Sequence, residues 1–576
     1  KQDFTLLSEK AVTRRVDVTH VGSRSLPPDD HITVDLETTS LDIRKAKIVL
    51  LSWFQFPYRG VVMDVGIESF LERIENIPTI IFHNWGYDGP IIRRYGLKLP
   101  PTQVWDTLLS GYVLGKEYLK LKERSLRELA TERDSFLDVS GGQDDSSLVP
   151  LDKLIPYALA DAYDTERLYD VDHVESVRNQ AQEILAIDHH LTPVLQDMSE
   201  RGFYIDKERL MVVSTLVESS RRDIQEELAC IAPKVNFNSG PQVADLLYQP
   251  LRLPQLRMTK TKTRPSVDEE SLRSIQGLHP IVDLLLRYKQ LTKIQGTYVK
   301  PLLEVAGRVH ARFNQTGAGT GRISCSNPNL QNIPIRSETG RMMRSVFVAE
   351  PGNMLIGCDY GQIELVALAA LTKDPTMLAI FERGQDIHSF TMAEVLKGHD
   401  RRLAKNINFG LCYGLGNKGL VRYLAKADPP VVVSLEEAGE IRTLFYSRFS
   451  GLRGYQENLK EQAKADGWTE TILHRRRYYP GLKYATGYAL EDMLKAALAT
   501  PPQGSAADLV KAAMVAVSSF PLILQVHDEL IFEVKAGEVQ DKAPEIKRQL
   551  EETGLRYFGL PVQVSCKIGA TWEEVH

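Results

Sequence analysis

Cysteine is scarce in this sequence, and its distribution excludes several kinds of small scaffold. The chain has five cysteines among 576 residues, and none of them forms a Cys-x-x-Cys pair. Because zinc sites and disulfide frameworks are recognised by their cysteine spacing, neither is expected here. Scattered cysteines are typical of a protein in a reducing compartment. The five are Cys230, Cys325, Cys358, Cys412 and Cys566.

Long apolar runs and a strong net charge are also lacking. No apolar stretch reaches the roughly 18 residues that cross a membrane, so neither a transmembrane helix nor a membrane partner is expected. Lysine and arginine number 70 against 75 aspartates and glutamates, and the net charge of −5 does not by itself indicate a nucleic-acid-binding protein. The apolar fraction of 43% is that of ordinary globular proteins, and the length predicts several domains.

The positive charge that is present lies in clusters, at Arg257–Arg264, Arg401–Lys405 and Arg475–Arg477. Because local patches attract phosphates more than the summed charge does, each cluster is a candidate nucleic-acid contact. Any one cluster taken alone is better explained as a solvated surface. The first cluster lies between two predicted long helices, Lys207–Ile231 and Pro280–Val305, where a basic loop would suit a clamp on a duplex backbone.

Acidic residues near the N-terminus follow short β-rich runs. In the predicted strand His31–Glu37, Asp35 and Glu37 point to the same side of the sheet. Asp88 lies just past the apolar strand Thr79–Phe82, where α/β sites collect. Neighbouring carboxylates repel one another and become stable together when a divalent metal neutralises them. A single acid at such a place is usually a helix cap or a surface charge.

A helical segment adds a phenol and a fourth acid. Within Leu151–Tyr169, Tyr157 and Asp161 are four residues apart and share one helix face. They can therefore point into the same cleft. Together with the three acids above, they favour a metal site over four unrelated surface charges.

The second half of the chain begins with an irregular segment, Gly317–Asn332, that is rich in glycine, serine and asparagine. Its polar side chains offer donors to a phosphate or to the acceptors of the minor groove. They belong to Arg322, Asn329, Gln331 and Asn332.

Two acids beside apolar strands follow. Asp359 ends the buried-strand run Met354–Cys358, and Asp528 lies at the predicted tip of a hairpin over Leu522–Glu533. An acid at a strand end that faces a cleft is a candidate metal ligand, whereas a hairpin tip is ordinarily just polar. The interpretation of either acid therefore depends on whether the fold brings the two together.

The stretch Arg401–Gly414 has the most informative periodicity. Read as a helix, it places two cations, Arg401 and Lys405, and two rings, Phe409 and Tyr413, on one stripe. A cation suits a phosphate and a flat ring suits a base, so this face could hold a nucleotide. For an isolated stripe, ordinary amphipathic packing is the better interpretation. The two acids described above reverse that judgement, because metal bound there would recruit a triphosphate.

Three N-terminal motifs resemble those of DEDD-superfamily 3′→5′ exonucleases of the tyrosine-containing subclass. They are DLE at Asp35–Glu37, NWGYD at Asn84–Asp88 and YALAD at Tyr157–Asp161. The resemblance implies that Tyr157 orients the attacking water and that four carboxylates bind two metal ions. These carboxylates are Asp35, Glu37, Asp88 and Asp161. Asp106, in WDT, is expected to have only a structural role.

The rest of the chain resembles the family A DNA polymerases, of the large-fragment type that carries a proofreading domain. DYGQIEL at 359–365 and QVHDEL at 525–530 are similar to the two palm motifs, and RRLAKNINFGLCYG at 401–414 is similar to the fingers motif. TGRISCSNPNLQNIP at 320–334 is similar to the segment that precedes the palm. In this order and together, these motifs are highly specific.

The resemblance implies a role for each matched residue of the polymerase part. Two Mg²⁺ ions, with Mn²⁺ as a substitute, would be held by Asp359, Asp528 and the backbone carbonyl of Tyr360. Lys405 would donate a proton to the leaving pyrophosphate. The implied nucleotide-binding residues are Arg401, Lys405, Phe409, Tyr413, His388, Gln362 and Glu364, of which Glu364 would exclude a 2′-hydroxyl. The implied DNA-binding residues are Arg322, Asn329, Asn332, Gln503, Gln525 and His527.

The predicted fold is an α/β multidomain protein. An RNase H-like 3′→5′ exonuclease domain is expected at residues 1–185 and a right-hand polymerase domain at residues 186–576. Within the polymerase domain, the thumb is expected at about 200–305, the fingers at about 376–499, and the palm at about 306–375 and 500–576. Val366 stands where many relatives of the family carry arginine, which leaves a salt bridge of the family open. Lys495 and Ala499 stand where bacterial relatives often have arginine and asparagine, which leaves the template contacts of that helix open.

The expected function is template-directed DNA synthesis from dNTPs by two-metal phosphoryl transfer, in DNA replication or repair. Proofreading is expected from the 3′→5′ exonuclease, whose site would bind two further Mg²⁺ ions. The expected partners are primer–template DNA and dNTPs, and the protein is expected to be a monomer in the cytoplasm of a bacterial or phage-infected cell, with an organelle as the alternative. A single-subunit RNA polymerase is one alternative function, but a sugar-blocking Glu364 does not suit ribonucleotides. A catalytically inactive nucleic-acid-binding protein is the other, and the retention of all six metal-type acids argues against it.

Overall fold

The computed structural model describes residues 30–56, 58–63, 66–259, 263–335, 337–397, 400–425, 427 and 431–576. It also gives the backbone of a short antiparallel strand pair, Thr5–Leu6 with Thr19–His20. The predicted basic clamp loop lies partly outside the described residues, at positions 260–262.

A five-stranded mixed sheet forms the N-terminal part. Its central strand, His31–Thr38, runs antiparallel to one neighbour and parallel to the other. Ile32 and Val34 are fully buried because both faces of this strand are covered. In spatial order the strands are Tyr58–Met63, Ile48–Gln55, His31–Thr38, Thr79–Phe82 and Val104–Asp106.

Helices cover this sheet, and the longest of them crosses the face that carries Asp35. Ser52 on the neighbouring strand donates a hydrogen bond of 2.9 Å to the carbonyl of Ala158, which fixes this crossing. The helix predicted over Leu151–Tyr169 continues to Arg178 and is followed by a break at 179–181. The helices are Gly66–Ile74, Trp85–Arg94, Thr107–Val113, Leu121–Glu128, Phe136–Ser140, Leu151–Arg178 and Gln182–Arg201.

Two long helices with their own apolar core follow, as the 3.6-residue periodicity predicts. The first is Lys207–Ile231, with the predicted bounds. The second differs from its prediction, because the α-helix Pro280–Ile294 passes into a π-helical turn, Gln295–Val299, before Lys300–Leu303. Shorter elements between and after them are the helices Gly240–Tyr248 and Glu269–Ser274 and the strands Phe203–Tyr204, Arg308–Val309, Arg312–Asn314 and Ser324–Ser326.

A four-stranded antiparallel sheet forms the base of the C-terminal part. Its hairpin has a two-residue turn at His527 and Asp528, as predicted, and His527 adopts a left-handed φ of 58°. The neighbouring strand continues one residue past Asp359, so this acid lies within the strand and not beyond it. In spatial order the strands are Leu522–Val526, Glu529–Lys535, Asn353–Tyr360 and Val564–Gly569.

Helices pack around this second sheet and bury a large apolar cluster with it. The longest helix, Gly487–Ala516, is buried along its C-terminal half. The helices are Glu338–Ser345, Ile363–Thr372, Pro375–Glu382, Ile387–Glu394, Arg401–Cys412, Asn417–Ala425, Leu435–Arg448, Ser450–Asp466, Gly487–Ala516, Val539–Phe558 and Trp572–Val575. A small strand pair, Trp468–Glu470 with Arg476–Tyr478, completes the part.

The expectation that the cysteines form no disulfide is wrong at one place. Cys358 and Cys566 are bonded although they are 208 residues apart in sequence. They lie opposite each other on neighbouring antiparallel strands, with their Cα atoms 4.2 Å apart. Because this proximity depends on strand order, the cysteine spacing gave no sign of it.

A buried ionic cluster joins the N-terminal helices to the C-terminal part. Arg475 donates to both oxygens of Asp188, at 2.9 and 3.0 Å, and to Asp508 at 2.6 Å. Lys511 donates to Asp188 at 3.1 Å. All four side chains are buried, and such charges are tolerated only when they are paired and hydrogen-bonded. Among the described helices, none is long and apolar enough to span a membrane.

Candidate active sites

The four predicted exonuclease acids lie on three elements that meet at one face of the N-terminal sheet. Asp35 and Glu37 are two residues apart on the central strand, and Asp161 is buried on the helix that crosses it. Asp88 is buried in the first turn of the helix Trp85–Arg94, which follows the predicted strand Thr79–Phe82. Ser146 donates a hydrogen bond of 3.0 Å to Glu37.

Asp106 orients the turn that carries Asp88. Its carboxylate accepts hydrogen bonds of 2.8 Å from the backbone amides of Asn84 and Trp85, and it also caps the helix Thr107–Val113 through Leu108. His189 accepts a hydrogen bond of 3.1 Å from the Asp106 amide. These contacts are those of a structural residue, in agreement with the role that the motif implies.

The protein compensates poorly for the ionised forms of the acids at this site, and this disfavours their ionisation. Burial raises the pKa of Asp35 to about 6. Burial and the neighbouring Asp35 raise the pKa of Glu37 to about 8. Burial, together with Asp35, Asp106 and Glu37, raises the pKa of Asp88 well above its usual value. Mutual repulsion of this kind is relieved by a cation.

One such cation is the ammonium group of Lys122. It forms an ion pair with Asp161 and lies 4.2 Å from the centre of the Tyr157 ring. Burial lowers the pKa of Lys122 to about 8, against the opposing effect of Asp35. Burial and the charges of Glu37 and Asp35 raise the pKa of the Tyr157 phenol, so the phenol stays protonated.

The donor chemistry of this site suits a divalent ion. Carboxylate oxygens are the ligands that Mg²⁺ and Mn²⁺ prefer, and the raised carboxylate pKa values mark charge that such an ion would neutralise. As the side chains stand, the described residues hold no group of three or more His, Cys, Asp or Glu arranged around a metal position. Lys122, which contacts Asp161, is the positive charge at this place.

The two acids of the C-terminal part are brought together by the second sheet. Asp359 lies opposite Glu529 in the strand register, directly beside the Asp528 turn. The Tyr360 amide donates a hydrogen bond of 3.2 Å to the Asp528 carbonyl. Loss of hydration, with the charges of Asp528 and Glu529, raises the pKa of Asp359 to about 7. Burial also raises the pKa of Asp528. These two carboxylates therefore also suit a divalent cation.

Glu529, the register partner of Asp359, contacts residues of the C-terminal segment. Its carboxylate is buried, lies 3.0 Å from His576 Nδ1, and accepts a hydrogen bond of 3.4 Å from Trp572 Nε1. These contacts occupy both of its oxygens.

A small cavity of about 50 Å³ adjoins the acid pair, and its lining includes Arg322, Glu364, Gln525, His527 and Asp528. Arg322 forms an ion pair of 2.5 Å with Glu364, and the Tyr413 hydroxyl donates to the same carboxylate. Gln503 is hydrogen-bonded to Tyr413. Residues predicted separately as DNA-binding and nucleotide-binding thus form one contiguous network.

The irregular segment Gly317–Asn332 contacts the residues that line this cavity. Gln331 donates a hydrogen bond of 2.9 Å to the Gln525 side chain, and Gln525 donates one of 2.6 Å to the His527 carbonyl. Asn332 is exposed, whereas the side-chain oxygen of Asn329 is buried and has no hydrogen-bond partner among the described residues. Within that part of the chain, the side-chain oxygen of Gln362 is also buried without a partner, and this residue has a left-handed φ of 57°.

The predicted stripe Arg401–Gly414 is a helix over Arg401–Cys412, with Tyr413 as its C-terminal cap. Arg401 is exposed and pairs with Asp386 at 2.7 Å, and this guanidinium holds the pKa of Asp386 well below its usual value against the effect of burial. Lys405 is also exposed. Within the described residues, no hydrogen bond or ion pair connects this basic end of the helix to Asp359 or Asp528.

The aromatic end of the helix packs beside a buried histidine. The Phe409 ring centre lies 6.1 Å from that of His388 and 6.2 Å from that of Tyr413. Burial lowers the pKa of His388 to about 4, so its imidazole is neutral at pH 7. The Asn408 amide donates to His388 Nδ1 at 2.8 Å, and the ring proton is therefore on Nε2.

The structure adds residues that the sequence interpretation missed. Lys122 at the first site and Asp386, the partner of Arg401, are the clearest examples. Asp386 lies two residues before the predicted nucleotide-binding residue His388, but its pairing with Arg401 was not predicted. No signal identified Lys122, because the ion pair joins residues 39 positions apart.

Comparison with known families places this geometry in context. Residues 207–574 match the model of DNA polymerase family A, and residues 23–171 match a 3′-5′ exonuclease model. The chain belongs to DNA polymerase family A. The resemblance inferred from the motifs and the predicted fold class, an exonuclease domain followed by a polymerase domain, are both confirmed.

Individual relatives extend over nearly the whole chain. DNA polymerase I of Borreliella burgdorferi is 28% identical over 612 residues, covering 98% of this chain and 65% of the relative. DNA polymerase I of Pseudomonas aeruginosa is 30% identical, covering 96% of this chain and 64% of the relative. The chain therefore spans somewhat less than two thirds of the length of these relatives.

A solved structure resembles the chain over nearly its whole length. It is described as the POL domain of Pol1 from M. smegmatis in complex with DNA primer-template and dNTP. The TM-score is 0.81 at 29% sequence identity, with 96% of each chain covered. The similarity thus includes both the exonuclease part and the polymerase part of this family A chain.

Proposed function

We propose that this family A chain is a template-directed DNA polymerase with 3′→5′ exonuclease proofreading, acting in DNA replication or repair. The observation that carries the proposal is the pairing of Asp359 with the Asp528 turn beside the Arg322–Glu364–Tyr413 network. The match to a polymerase captured with primer–template and dNTP supports it. Exonuclease activity is assigned to residues 1–185 and polymerase activity to residues 186–576, with the thumb, palm and fingers at the ranges expected from the sequence.

In the polymerase reaction, the primer 3′ oxygen attacks the α-phosphorus of a dNTP, and the bond from that phosphorus to the pyrophosphate oxygen breaks. Arg401 and Lys405 bind the triphosphate, and Lys405 donates a proton to the departing pyrophosphate. His388 donates from Nε2 to the β-phosphate, because its Nδ1 already accepts from Asn408. The proton of the primer hydroxyl passes to solvent.

Other residues of the chain position the base pair and the sugar. Phe409 packs on the incoming nucleotide, and Tyr413 lies beneath the templating pair. Glu364, which is bound by Arg322 and Tyr413, lies beneath the sugar and excludes a 2′-hydroxyl by its size. Contacts to primer and template are assigned to Arg322, Asn329, Asn332, Gln503, Gln525 and His527, with Gln362 beside the nucleotide.

In the exonuclease reaction, water attacks the terminal phosphodiester, the bond from phosphorus to the 3′ oxygen of the penultimate nucleotide breaks, and a 5′-mononucleotide leaves. The protonated Tyr157 phenol orients the water by hydrogen bonding. Asp35, Glu37, Asp88 and Asp161 would hold Mg²⁺ or Mn²⁺ here, as would Asp359, Asp528 and the Tyr360 carbonyl at the polymerase site. When bound, two such ions at each site supply Lewis-acid stabilisation of the charge that develops on the reacting oxygens.

The partners are primer–template DNA and dNTPs, and the protein acts as a monomer. The relatives named above are bacterial proteins, which supports a place in the cytoplasm of a bacterial or phage-infected cell. A single-subunit RNA polymerase is disfavoured by Glu364, which is half-buried beside Arg322 and would exclude a 2′-hydroxyl.

The proposal is tested with a 5′-labelled primer that ends in a mismatch on a longer template. With Mg²⁺ and no dNTPs, we expect the primer to shorten from its 3′ end. With dNTPs, we expect removal of the mismatch and extension to the template end. A protein that binds the duplex but changes primer length under neither condition would refute the proposal, and preferential use of ribonucleotides would favour the RNA polymerase alternative.

A further inference from the structure

Lys122 is held at the exonuclease site by the helix on which it lies. Two residues further along this helix, Leu121–Glu128, the fully buried Arg124 donates to both oxygens of Asp172, at 3.0 and 2.7 Å. Asp172 belongs to the same long helix as Tyr157 and Asp161. The double hydrogen bond therefore fixes one helix against the other and directs Lys122 toward those two side chains.

The Lys122 ammonium group contacts two of the residues through which the exonuclease site is expected to work, Asp161 and Tyr157. It is ion-paired with Asp161 Oδ1, and it lies 4.2 Å from the centre of the Tyr157 ring. Its side chain is only 22% exposed. An ammonium group that is this enclosed needs a partner, and Asp161 supplies it.

The same oxygen cannot serve Lys122 and a divalent ion at once. A metal ligated by Asp161 would lie within a few ångströms of the ammonium group, and two positive charges at that separation repel strongly in a poorly solvated site. Lys122 has a flexible four-carbon stem and can swing away from the carboxylate. The anion it would then meet in a loaded site is the phosphate of the DNA strand.

We propose that Lys122 competes with divalent metal for Asp161 and, once displaced, contacts the phosphate of the strand being cut. The inference rests on the proposed exonuclease function. In the free protein, Lys122 neutralises Asp161 and lowers the affinity of the site for metal. In the loaded site, it contributes to binding of the DNA strand. Metal and substrate would thus bind cooperatively. Bound metal releases Lys122 from Asp161 for the phosphate, and a bound phosphate keeps the Lys122 ammonium group away from the metal ligand Asp161.

The first test measures Mn²⁺ binding by electron paramagnetic resonance in the absence of DNA. The Mn²⁺ binding that is lost in the Asp35→Ala variant is assigned to the exonuclease site. Lys122→Met should tighten that binding by roughly tenfold, since one charge-assisted hydrogen bond no longer competes. Lys122→Arg should retain the affinity of the wild type. Unchanged or weaker Mn²⁺ binding in Lys122→Met would overturn the inference.

Lys116→Met is the matched control. The Lys116 side chain is 20% exposed and ion-paired, like that of Lys122, but its partners are Glu128 and Glu175, and neither is a candidate metal ligand. Its loss should leave Mn²⁺ binding unchanged, and equal tightening in both variants would contradict a specific role for Lys122. If Lys122→Met does not fold, Lys122→Gln, which keeps a polar side chain of similar reach, serves with the same expected result.

The second test uses a single-stranded oligonucleotide at saturating Mn²⁺. Lys122→Met should raise the KM for the oligonucleotide several-fold, whereas a merely structural residue would not combine tighter metal binding with weaker DNA binding. An unchanged KM would overturn the phosphate contact. If the wild type binds Mn²⁺ at this site but does not shorten the oligonucleotide at all, the proposed function fails and the first test still decides the competition.

Discussion

Glu364 has more contacts than a surface acid would need. Arg322 and Tyr413 both bind its carboxylate, and Arg322 and Glu364 line the cavity beside Asp528. A carboxylate fixed from two sides is a rigid obstacle, and rigidity is what discrimination by size requires. The network thus gives a physical reason for the sugar selectivity that the DYGQIEL motif implies.

Replacing Glu364 with alanine should therefore weaken the selection against ribonucleotides. We expect the ratio of kcat/KM for dATP to that for ATP to fall by about tenfold or more, since the obstacle to a 2′-hydroxyl is removed. Single-nucleotide incorporation on one primer–template measures both values. An unchanged ratio in a variant that still extends with dATP would show that Glu364 does not contact the sugar.

His189 makes stability depend on pH. Burial lowers its pKa to about 4, and its ring accepts a hydrogen bond from the Asp106 amide only when it is neutral. Because the unfolded chain binds this proton below about pH 6.5 and the folded protein does not, stability is lost as the pH falls from 6.5 toward 4. The loss approaches about 1.4 kcal/mol per pH unit for one such group.

The urea midpoint of unfolding at pH 7 and at pH 5 checks this. His189→Gln, which can still accept the hydrogen bond but does not titrate, should lose less stability on acidification than the wild type. His190→Gln, which changes the neighbouring and less buried histidine, is the control and should behave like the wild type. Equal acid sensitivity in all three proteins would contradict the assignment.

The disulfide Cys358–Cys566 connects two adjacent strands of the C-terminal sheet next to Asp359. Because it closes a loop of 208 residues, reduction should remove a constraint on the unfolded chain and lower stability by about 2–4 kcal/mol. The check is the thermal unfolding midpoint of the wild type and of Cys358→Ser with and without a reducing agent. A midpoint that does not respond to reductant in the wild type would contradict a stabilising bond.

Elements with a strong local signal were predictable from the sequence. Asp359 and the Asp528 turn follow from apolar runs that end in acids, and the stripe of Arg401 and Lys405 follows from helical spacing. The long helix Lys207–Ile231 was predicted with its observed bounds, because its periodicity is uninterrupted. The prediction of one continuous helix over Pro280–Val305 was wrong near Gln295, where a π-helical turn changes the hydrogen-bonding pattern. No proline or capping residue at this turn indicates the change in the sequence.

Pairings between residues that are far apart in sequence were not predictable in the same way. Lys122 with Asp161, Cys358 with Cys566 and Arg475 with Asp188 each join positions separated by 39 to 287 residues. Nothing in the local spacing of such residues encodes the strand order or helix crossing that brings them together. The partners of such residues can be identified only from the folded structure.

Taken as a whole, the molecule contains two acidic sites on two different sheets. The first sheet carries Asp35 and Glu37, and the second carries Asp359 beside Asp528. A buried cluster of Arg475, Asp188, Asp508 and Lys511 fixes the N-terminal helices to the C-terminal part. Because no acid is shared between the two sites, the two proposed activities should be separable by single substitutions.

The most direct measurement follows a 5′-labelled mismatched primer in the wild type, Asp35→Ala and Asp528→Asn, with and without dNTPs. Asp35→Ala should lose primer shortening and still extend a matched primer. Asp528→Asn should keep shortening the primer and lose extension, because its side chain no longer carries the charge that holds metal at the second site. If either substitution removes both activities while the protein remains folded, the account of two independent sites is wrong.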